Sequence, residues 1–171
     1  MTRIEWAIVA LLVVGWIPGI LAMAKVWSEI DYASHGYLVP FVALWAATAH
    51  WETLKQLPAR PIRGGLLLLG LLAPVTVAAV LFGNATLIGV LAVATVTSTV
   101  LALRGTDWVR TLRFPLFYLI FMIPLPLAWV NPVIVQLQLW VSELAVRVMH
   151  LGDIAIFRDG NVLNLPGGVT L

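Results

Sequence analysis

The chain has 171 residues, of which 61% are hydrophobic and only 11% are charged, and its formal net charge is +2. Because soluble domains carry about 25% charged residues, this composition excludes an ordinary soluble domain and predicts an all-α, polytopic membrane protein embedded in the lipid bilayer. The chain has no cysteine, so disulfides, cysteine-bound metals and a thiol nucleophile are excluded within these residues. The basic residues lie in loops between apolar runs, a pattern that indicates membrane orientation and not binding to nucleic acid.

Apolar runs of about 20 residues predict the membrane spans in chain order. Five spans are predicted, over residues 6–26, 37–54, 65–82, 85–103 and 114–130. Pro18 predicts a kink in the first span, Pro40 lies in the first turn of the second, and Gly83-Asn84 forms a tight turn before the fourth. Pro124 and Pro126 predict that the end of the fifth span is bent or unwound.

After Asn131-Pro132, residues 133–151 form a further apolar segment with a narrow polar stripe. At 100° per residue, four polar side chains of this segment fall within about 60° of one another. They are Gln136, Glu143, Arg147 and His150. The low local charge favours a helix on the outer surface, although the length of the segment leaves a sixth span open.

The tail that follows Gly152 changes character. Asp159-Gly160 stands between two β-prone runs and predicts a β-hairpin, and Pro166-Gly167-Gly168 predicts a second turn. The sequence therefore predicts a single membrane domain over residues 1–171. This domain is a helical bundle of about five spans with an outer-surface helix and a short hairpin-like tail.

Positive charge predicts which loops face the cytoplasm. Two loops contain six of the ten Lys and Arg residues, namely Lys55, Arg60, Arg63, Arg104, Arg110 and Arg113. By the positive-inside rule these loops are cytoplasmic. The loop with Glu29, Asp31 and His35 contains Lys25 as its only basic residue and is therefore placed outside, whereas His50 is placed at the opposite membrane face.

The stretch Ser34-His35-Gly36-Tyr37-Leu38-Val39-Pro40 places polar groups at the outer membrane boundary. Titratable groups are costly near hydrocarbon, so they are candidate functional groups. The candidate residues of the site wall are Asp31, Ser34, His35, Gly36 and Pro40. His35 is either a loop histidine that caps the second span or a functional proton acceptor or oriented donor. No metal site is predicted, because the other histidines are distant in sequence.

The neighbours of His35 have simple structural interpretations. Ser34 is predicted to cap the N-terminus of the second span. Gly36 is expected to give the backbone freedom where that helix begins. Asp31 is close enough in sequence to orient His35, but the spacing alone does not predict a catalytic triad.

Three stretches, in chain order, resemble the exosortases and the related archaeosortases. The stretch from Ser34 to Pro40 resembles the N-terminal signature of this family. Phe114-Pro115-Leu116-Phe117 with Phe121-Met122-Ile123-Pro124-Leu125-Pro126 resembles a later block, and Gly160-Asn161-Val162 resembles the loop before the catalytic helix. The resemblance extends over most of residues 27–171.

This resemblance implies an integral membrane cysteine transpeptidase of about eight spans in the bacterial cytoplasmic (inner) membrane, with its site facing the periplasm. Such enzymes are proteases that recognise the PEP-CTERM sorting tails of secreted proteins: a PEP motif, a transmembrane helix and a basic cluster. They cut near the motif, are thought to transfer the substrate to an acceptor, and accompany exopolysaccharide production. They require no cofactor.

The same resemblance implies that the catalytic Cys, Arg and His lie beyond Leu171. None of them is carried onto a residue of this chain, and His35 is not the catalytic histidine of the family. The chain is therefore expected to be the N-terminal part of a larger exosortase domain and to be inactive alone.

Three functions are open from the sequence. The first is the N-terminal portion of an exosortase. The second is a non-catalytic membrane protein that binds sorting tails or a partner chain. The third is a small transporter or polysaccharide-export component, which ranks last because the spans contain almost no charged or polar residues at mid-membrane depth.

Overall fold

In the computed structural model, the structure describes residues 3–151, 157–159, 162–165 and 169–170. The helices are α1 (Arg3–Glu29), α2 (Val39–Thr48), α3 (Trp51–Gln56), α4 (Arg63–Leu81), α5 (Ala85–Leu103), α6 (Thr106–Thr111), α7 (Arg113–Tyr118) and α8 (Leu127–Leu151). Two 3-10 helices occupy Asp31–Tyr37 and Leu119–Met122. Among the described residues, four helices (α1, α4, α5 and α8) are long and apolar enough to cross a membrane. The predicted all-α, polytopic architecture is confirmed.

The first, third and fourth predicted spans correspond to single helices. The first helix, α1, continues through Pro18. The fourth predicted span coincides with α5, because the Asn84 side chain accepts a hydrogen bond from the Leu87 N–H at 3.0 Å and so caps the helix. The preceding Gly83 has φ of 64°, which a residue with a Cβ rarely adopts, and this explains the tight turn between α4 and α5.

The second predicted span is wrong as a continuous helix. Its residues are divided between the first 3-10 helix, α2 and α3. Two side chains form hydrogen bonds with backbone carbonyls near the end of α2. The Thr48 hydroxyl donates to the Trp45 carbonyl at 2.6 Å, and His50 Nδ1 contacts the Ala46 carbonyl at 3.1 Å. These side chains compete with the backbone for its acceptors, and the helix ends. With 10 residues, α2 is about 15 Å long, half the length that a span needs.

The fifth predicted span is interrupted near Pro124 and Pro126, where the sequence predicted a bent or unwound end. The chain passes through α7 and the second 3-10 helix, and Ile123 then turns to an extended conformation with φ −76° and ψ 117°. Pro124 and Pro126 cannot donate a backbone hydrogen bond, and each disfavours a helical conformation in the residue before it. The prediction of an unwound end is therefore confirmed.

The chain divides into two compact units, Met1–Pro124 and Leu125–Leu171. In the second unit, α8 begins at Leu127, earlier than predicted, and runs through Pro132. By length and composition it is able to cross a membrane, so the outer-surface location of this helix stays a prediction. Its polar stripe contains the expected pair, in which Arg147 donates to the Glu143 carboxylate four residues away.

Three short strands follow α8. Strand β1 (Phe157–Asp159) pairs antiparallel with β2 (Val162–Leu165), and β2 pairs antiparallel with β3 (Val169–Thr170). The register places Asp159 opposite Val162, which confirms the predicted hairpin. Of the predicted Asp159-Gly160 turn, Asp159 belongs to β1 and residue 160 lies outside the described residues, as does the predicted second turn at 166–168.

Candidate functional site

Within the first unit, contacts distant in sequence bring the helices together at two ends. At one end, residues 121–124 meet the end of α1, the first 3-10 helix and the start of α5. We call this the His35 end. At the other, Glu5 near the start of α1 meets Arg104 after α5, and the Arg60 N–H donates to the Arg104 carbonyl at 3.1 Å. We call this the Arg104 end. The 19 residues of α5 separate the two ends by about 28 Å.

Ser34 lies within the first 3-10 helix and does not cap α2. Its hydroxyl donates to the Asp31 carbonyl at 2.8 Å, three residues earlier, and so supports its own helical turn. Leu38 occupies the N-cap position of α2 and makes no side-chain cap. The predicted cap was wrong because Ser34 lies four residues before the N-cap position and its hydroxyl already bonds within its own helical turn. Pro40 lies in the first turn of α2, as predicted.

His35 makes its contact with a distant part of the chain. Its Nε2 lies 3.0 Å from the carbonyl oxygen of Phe121, 86 residues later. Because a carbonyl oxygen only accepts hydrogen bonds, Nε2 carries the proton and is the donor of the hydrogen bond in this contact. In the neutral imidazole, Nδ1 is then the acceptor. Within the described part of the chain, no hydrogen bond or ion pair joins Asp31 to His35, so the suggestion that Asp31 orients the imidazole stays a prediction.

Two further side chains donate to the same stretch of backbone. Trp27 Nε1 donates to the Met122 carbonyl at 3.0 Å, and the Thr86 hydroxyl donates to the Pro124 carbonyl at 2.6 Å. Trp27 is buried and packs edge-on against Tyr37, with ring centroids 5.2 Å apart. Three side chains from three separate elements therefore bind three carbonyls within residues 121–124.

Gly36 is needed for close packing. It is buried, and a Cβ at this position would overlap the Trp27 indole at Nε1. The positive-φ glycines among the described residues are Gly83 and Gly105, so Gly36 does not adopt the special backbone conformation that was expected of it. The missing side chain at Gly36 allows the indole to approach and to reach the Met122 carbonyl.

A pocket of about 350 Å³ lies beside the imidazole, all within the first unit. Its lining is apolar except for one imidazole and one phenol, and consists of His35, Leu38, Val39, Val42, Tyr118 and Phe121. No cluster of three or more His, Asp or Glu side chains suited to a metal ion occurs among the described residues. The pocket can therefore bind an apolar segment and offers hydrogen bonds only at its polar side chains.

The Arg104 end is built differently. Arg104 lies 3.4 Å from the Glu5 carboxylate, and its guanidinium stacks over the Trp108 ring at 5.3 Å. The side chains of both partners of this pair are largely buried, with 23% and 19% of their surface exposed. Gly105 has φ of 91° and packs against the Arg60 carbonyl. This end joins three chain segments, and none of the residues predicted for the site lies there.

A family description, transmembrane exosortase (Exosortase_EpsH), matches residues 27–171. The chain belongs to the transmembrane exosortase family. No curated protein and no solved structure matches the chain. The matched region begins at Trp27 and includes His35, Thr86 and the backbone segment 121–124, so every donor and acceptor of the His35 end lies within the exosortase match.

The sequence reasoning missed Trp27 and Thr86. Tryptophan is typical of the membrane interface, but Trp27 is a buried donor. A signal for such donors was present in this exosortase sequence. Two prolines so close together interrupt a helix and leave carbonyl oxygens that require other partners, and buried carbonyls are nearly always paired. The sequence could not show which side chains, 95 and 38 residues away, supply the bonds.

Proposed function

We propose that this chain forms the part of a membrane exosortase that binds sorting tails. In this proposal the His35 end faces the periplasm at the bacterial inner membrane, and the pocket beside His35 receives the segment around the PEP motif. The observation that carries the proposal is the apolar pocket with one imidazole, at the end of the first unit remote from Arg104. The positive-inside rule supports the orientation, because Arg60 and Arg104 meet at the other end.

The reaction proposed for the complete site is cysteine transpeptidation. A thiolate attacks the scissile carbonyl of the tail, and a thioester forms as the C–N bond breaks and the C-terminal part of the tail leaves as an amine that takes up a proton. An acceptor nucleophile then bonds to the acyl carbon and gives up its proton, and the C–S bond breaks to release the thiolate. No residue of this chain is a cysteine, so the thiol has to come from outside these 171 residues. A peptide-cleavage assay on this chain alone is therefore expected to show no turnover.

Retention of a sorting-tail peptide tests the binding proposal. The purified chain in detergent is expected to retain a peptide with the PEP motif, the transmembrane helix and the basic cluster, and to lose it when the motif is scrambled. Val42→Trp fills the pocket and is expected to abolish retention, whereas Val96→Trp, at an exposed position of α5, is the matched control. No retention of the intact tail, with a complete exosortase as the positive control, would refute the proposal.

The second candidate function is a non-catalytic protein that binds sorting tails or a partner chain. The combination of an intact pocket with a chain that has no cysteine favours it. The coding DNA after Leu171 distinguishes the two candidates. An in-frame continuation with a cysteine and later Arg and His codons supports the enzyme, and a stop codon followed by no such codons supports the binding protein.

Orientation is tested separately from tail binding. Because the chain has no cysteine, a single introduced thiol is a unique label. Leu38→Cys, at the His35 end, is expected to react with a membrane-impermeant maleimide added to intact spheroplasts. Arg63→Cys, at the first residue of α4 and three residues after Arg60, is expected to react only after lysis. The reverse pattern would overturn the orientation.

A further inference from the structure

The backbone between the second 3-10 helix and Pro124 departs from helical geometry inside a helical bundle. Ile123 is extended, and Pro124 has no N–H. A non-helical segment in a membrane protein is stable only where other groups satisfy its backbone, because hydrocarbon offers no hydrogen bonds. Residues 121–124 therefore depend on side-chain donors for their geometry.

The donors come from three elements that are separate in the chain. Trp27 belongs to α1, His35 to the first 3-10 helix and Thr86 to α5, and they donate to the carbonyls of Met122, Phe121 and Pro124 respectively. Each donor binds a different carbonyl. The segment is thus bonded to three separate elements, and we call Trp27, His35 and Thr86 the carbonyl clamp.

Packing adds a fourth restraint on the same segment. A Cβ at Gly89 of α5 would lie 3.2 Å from the Ile123 Cα and its side chain, so the two backbones are close. Met122 is buried, with 7% of its surface exposed, and belongs to the hydrophobic core. Phe121, whose carbonyl binds His35, is one of the residues that line the pocket. The clamp thus sets the position of one pocket wall.

We propose that Trp27, His35 and Thr86 are positioning residues that hold residues 121–124 in place. In this proposal, His35 acts by donating a hydrogen bond to the Phe121 carbonyl and not by transferring a proton. The inference deepens the proposed function, because the clamp shapes the pocket assigned to the tail. The contacts of the clamp are all within the chain, so it is measurable without any tail.

The chain without cysteine allows a direct test. Met122→Cys places a single buried thiol beside the carbonyl that Trp27 binds, and its rate of reaction with a maleimide reports how often the segment opens. In this background, Trp27→Phe and Thr86→Val each remove one donor and keep a similar shape. Each is expected to raise the labelling rate about tenfold, since a buried carbonyl loses its partner.

Each variant has a matched control at the same residue type. Trp51→Phe changes an exposed tryptophan, and Thr97→Val and His50→Ala remove donors that bind carbonyls only within four residues of themselves. These three controls are expected to leave the labelling rate at Met122→Cys unchanged. Elution as a single peak in gel filtration and an unchanged helical circular dichroism spectrum confirm that a variant is folded.

The role of His35 is tested by rescue. In His35→Gln the amide nitrogen is placed near the position of Nε2 and donates, whereas in His35→Asn it corresponds to Nδ1 and is too short, and His35→Ala has no donor. We expect His35→Gln to keep the slow labelling rate and to retain the tail peptide. His35→Asn and His35→Ala are expected to label faster and to retain less tail. Loss in all three variants equally would show that the imidazole itself is required and would overturn the inference.

Two further outcomes separate the clamp from the proposed function. If Trp27→Phe and Thr86→Val leave the labelling rate unchanged while their folds are intact, the clamp does not exist, whatever the tail peptide does. If the clamp variants behave as expected but the wild-type chain retains no tail, the clamp stands and the proposed function fails.

Discussion

The two ends of the first unit join their helices through different kinds of interaction. At the His35 end, N–H and O–H groups of Trp27, His35 and Thr86 donate to backbone carbonyls of a non-helical segment, and a pocket lies open beside them. At the Arg104 end, a largely buried ion pair with Glu5 joins regular helix termini. The difference suggests that one end maintains an irregular, functional geometry and the other holds the bundle together.

The largest expected effects come from the glycine at each end that permits a close approach. Gly36→Ala places a Cβ against the Trp27 indole, and Gly105→Ala combines a contact with the Arg60 carbonyl with an unfavourable φ. Each is expected to lower the free energy of unfolding by about 2–3 kcal/mol. The free energy of unfolding is measured by denaturation of each variant in mixed micelles.

The control for both glycines is Gly70→Ala, because nothing lies within 4 Å of a Cβ at that position of α4. It is expected to leave stability unchanged or to raise it by up to about 1 kcal/mol, because alanine favours the helix. Equal destabilisation by all three substitutions would mean that the contacts at Gly36 and Gly105 are not the cause of the lost stability.

The ion pair gives the next largest effect and separates the two ends most clearly. Glu5→Gln removes the charge that lies 3.4 Å from Arg104 and is expected to reduce the free energy of unfolding by about 1–2 kcal/mol. Because the pair is about 28 Å from the pocket along α5, tail retention at a temperature where the variant is folded is expected to be unchanged. A loss of tail retention in folded Glu5→Gln protein would show that the Arg104 end and the His35 end are not independent, and would contradict the comparison of the two ends.

The smallest expected effect is at an exposed pair. Lys55 contacts the Glu52 carboxylate at 2.9 Å, but both side chains are more than half exposed. Lys55→Gln is expected to change the free energy of unfolding by about 0.5 kcal/mol or less, since solvent screens such pairs. A change in the free energy of unfolding as large as that of Glu5→Gln would show that burial does not determine how much each ion pair contributes to stability.

The sequence predicts the regular parts of the fold more accurately than the irregular ones. Helix α5 has the predicted bounds because its apolar run follows a capping residue, Asn84, and both signals are local. The second span was predicted as one helix because hydropathy does not register how Thr48 and His50 compete for carbonyls at 45 and 46. Local chemistry of this kind shortens a helix without changing its polarity.

The candidate site was predicted only in part for a similar reason. The sequence identified His35 and the prolines that interrupt the chain at Pro124, because each is unusual in its own segment. Their connection depends on tertiary placement, since 86 residues separate His35 from Phe121. The same holds for Gly36, whose role is set by the Trp27 indole and not by its own backbone.

The most direct test of the account is a proximity reaction between the tail and a single thiol. A sorting-tail peptide with a bromoacetyl group beside its PEP motif is added to Leu38→Cys, in the pocket lining, and to Arg63→Cys, at the start of α4 near the Arg104 end. The account predicts an adduct at residue 38 that excess unlabelled tail suppresses, and none at residue 63. Equal adducts at both residues, or an adduct at residue 38 that unlabelled tail does not suppress, would contradict it.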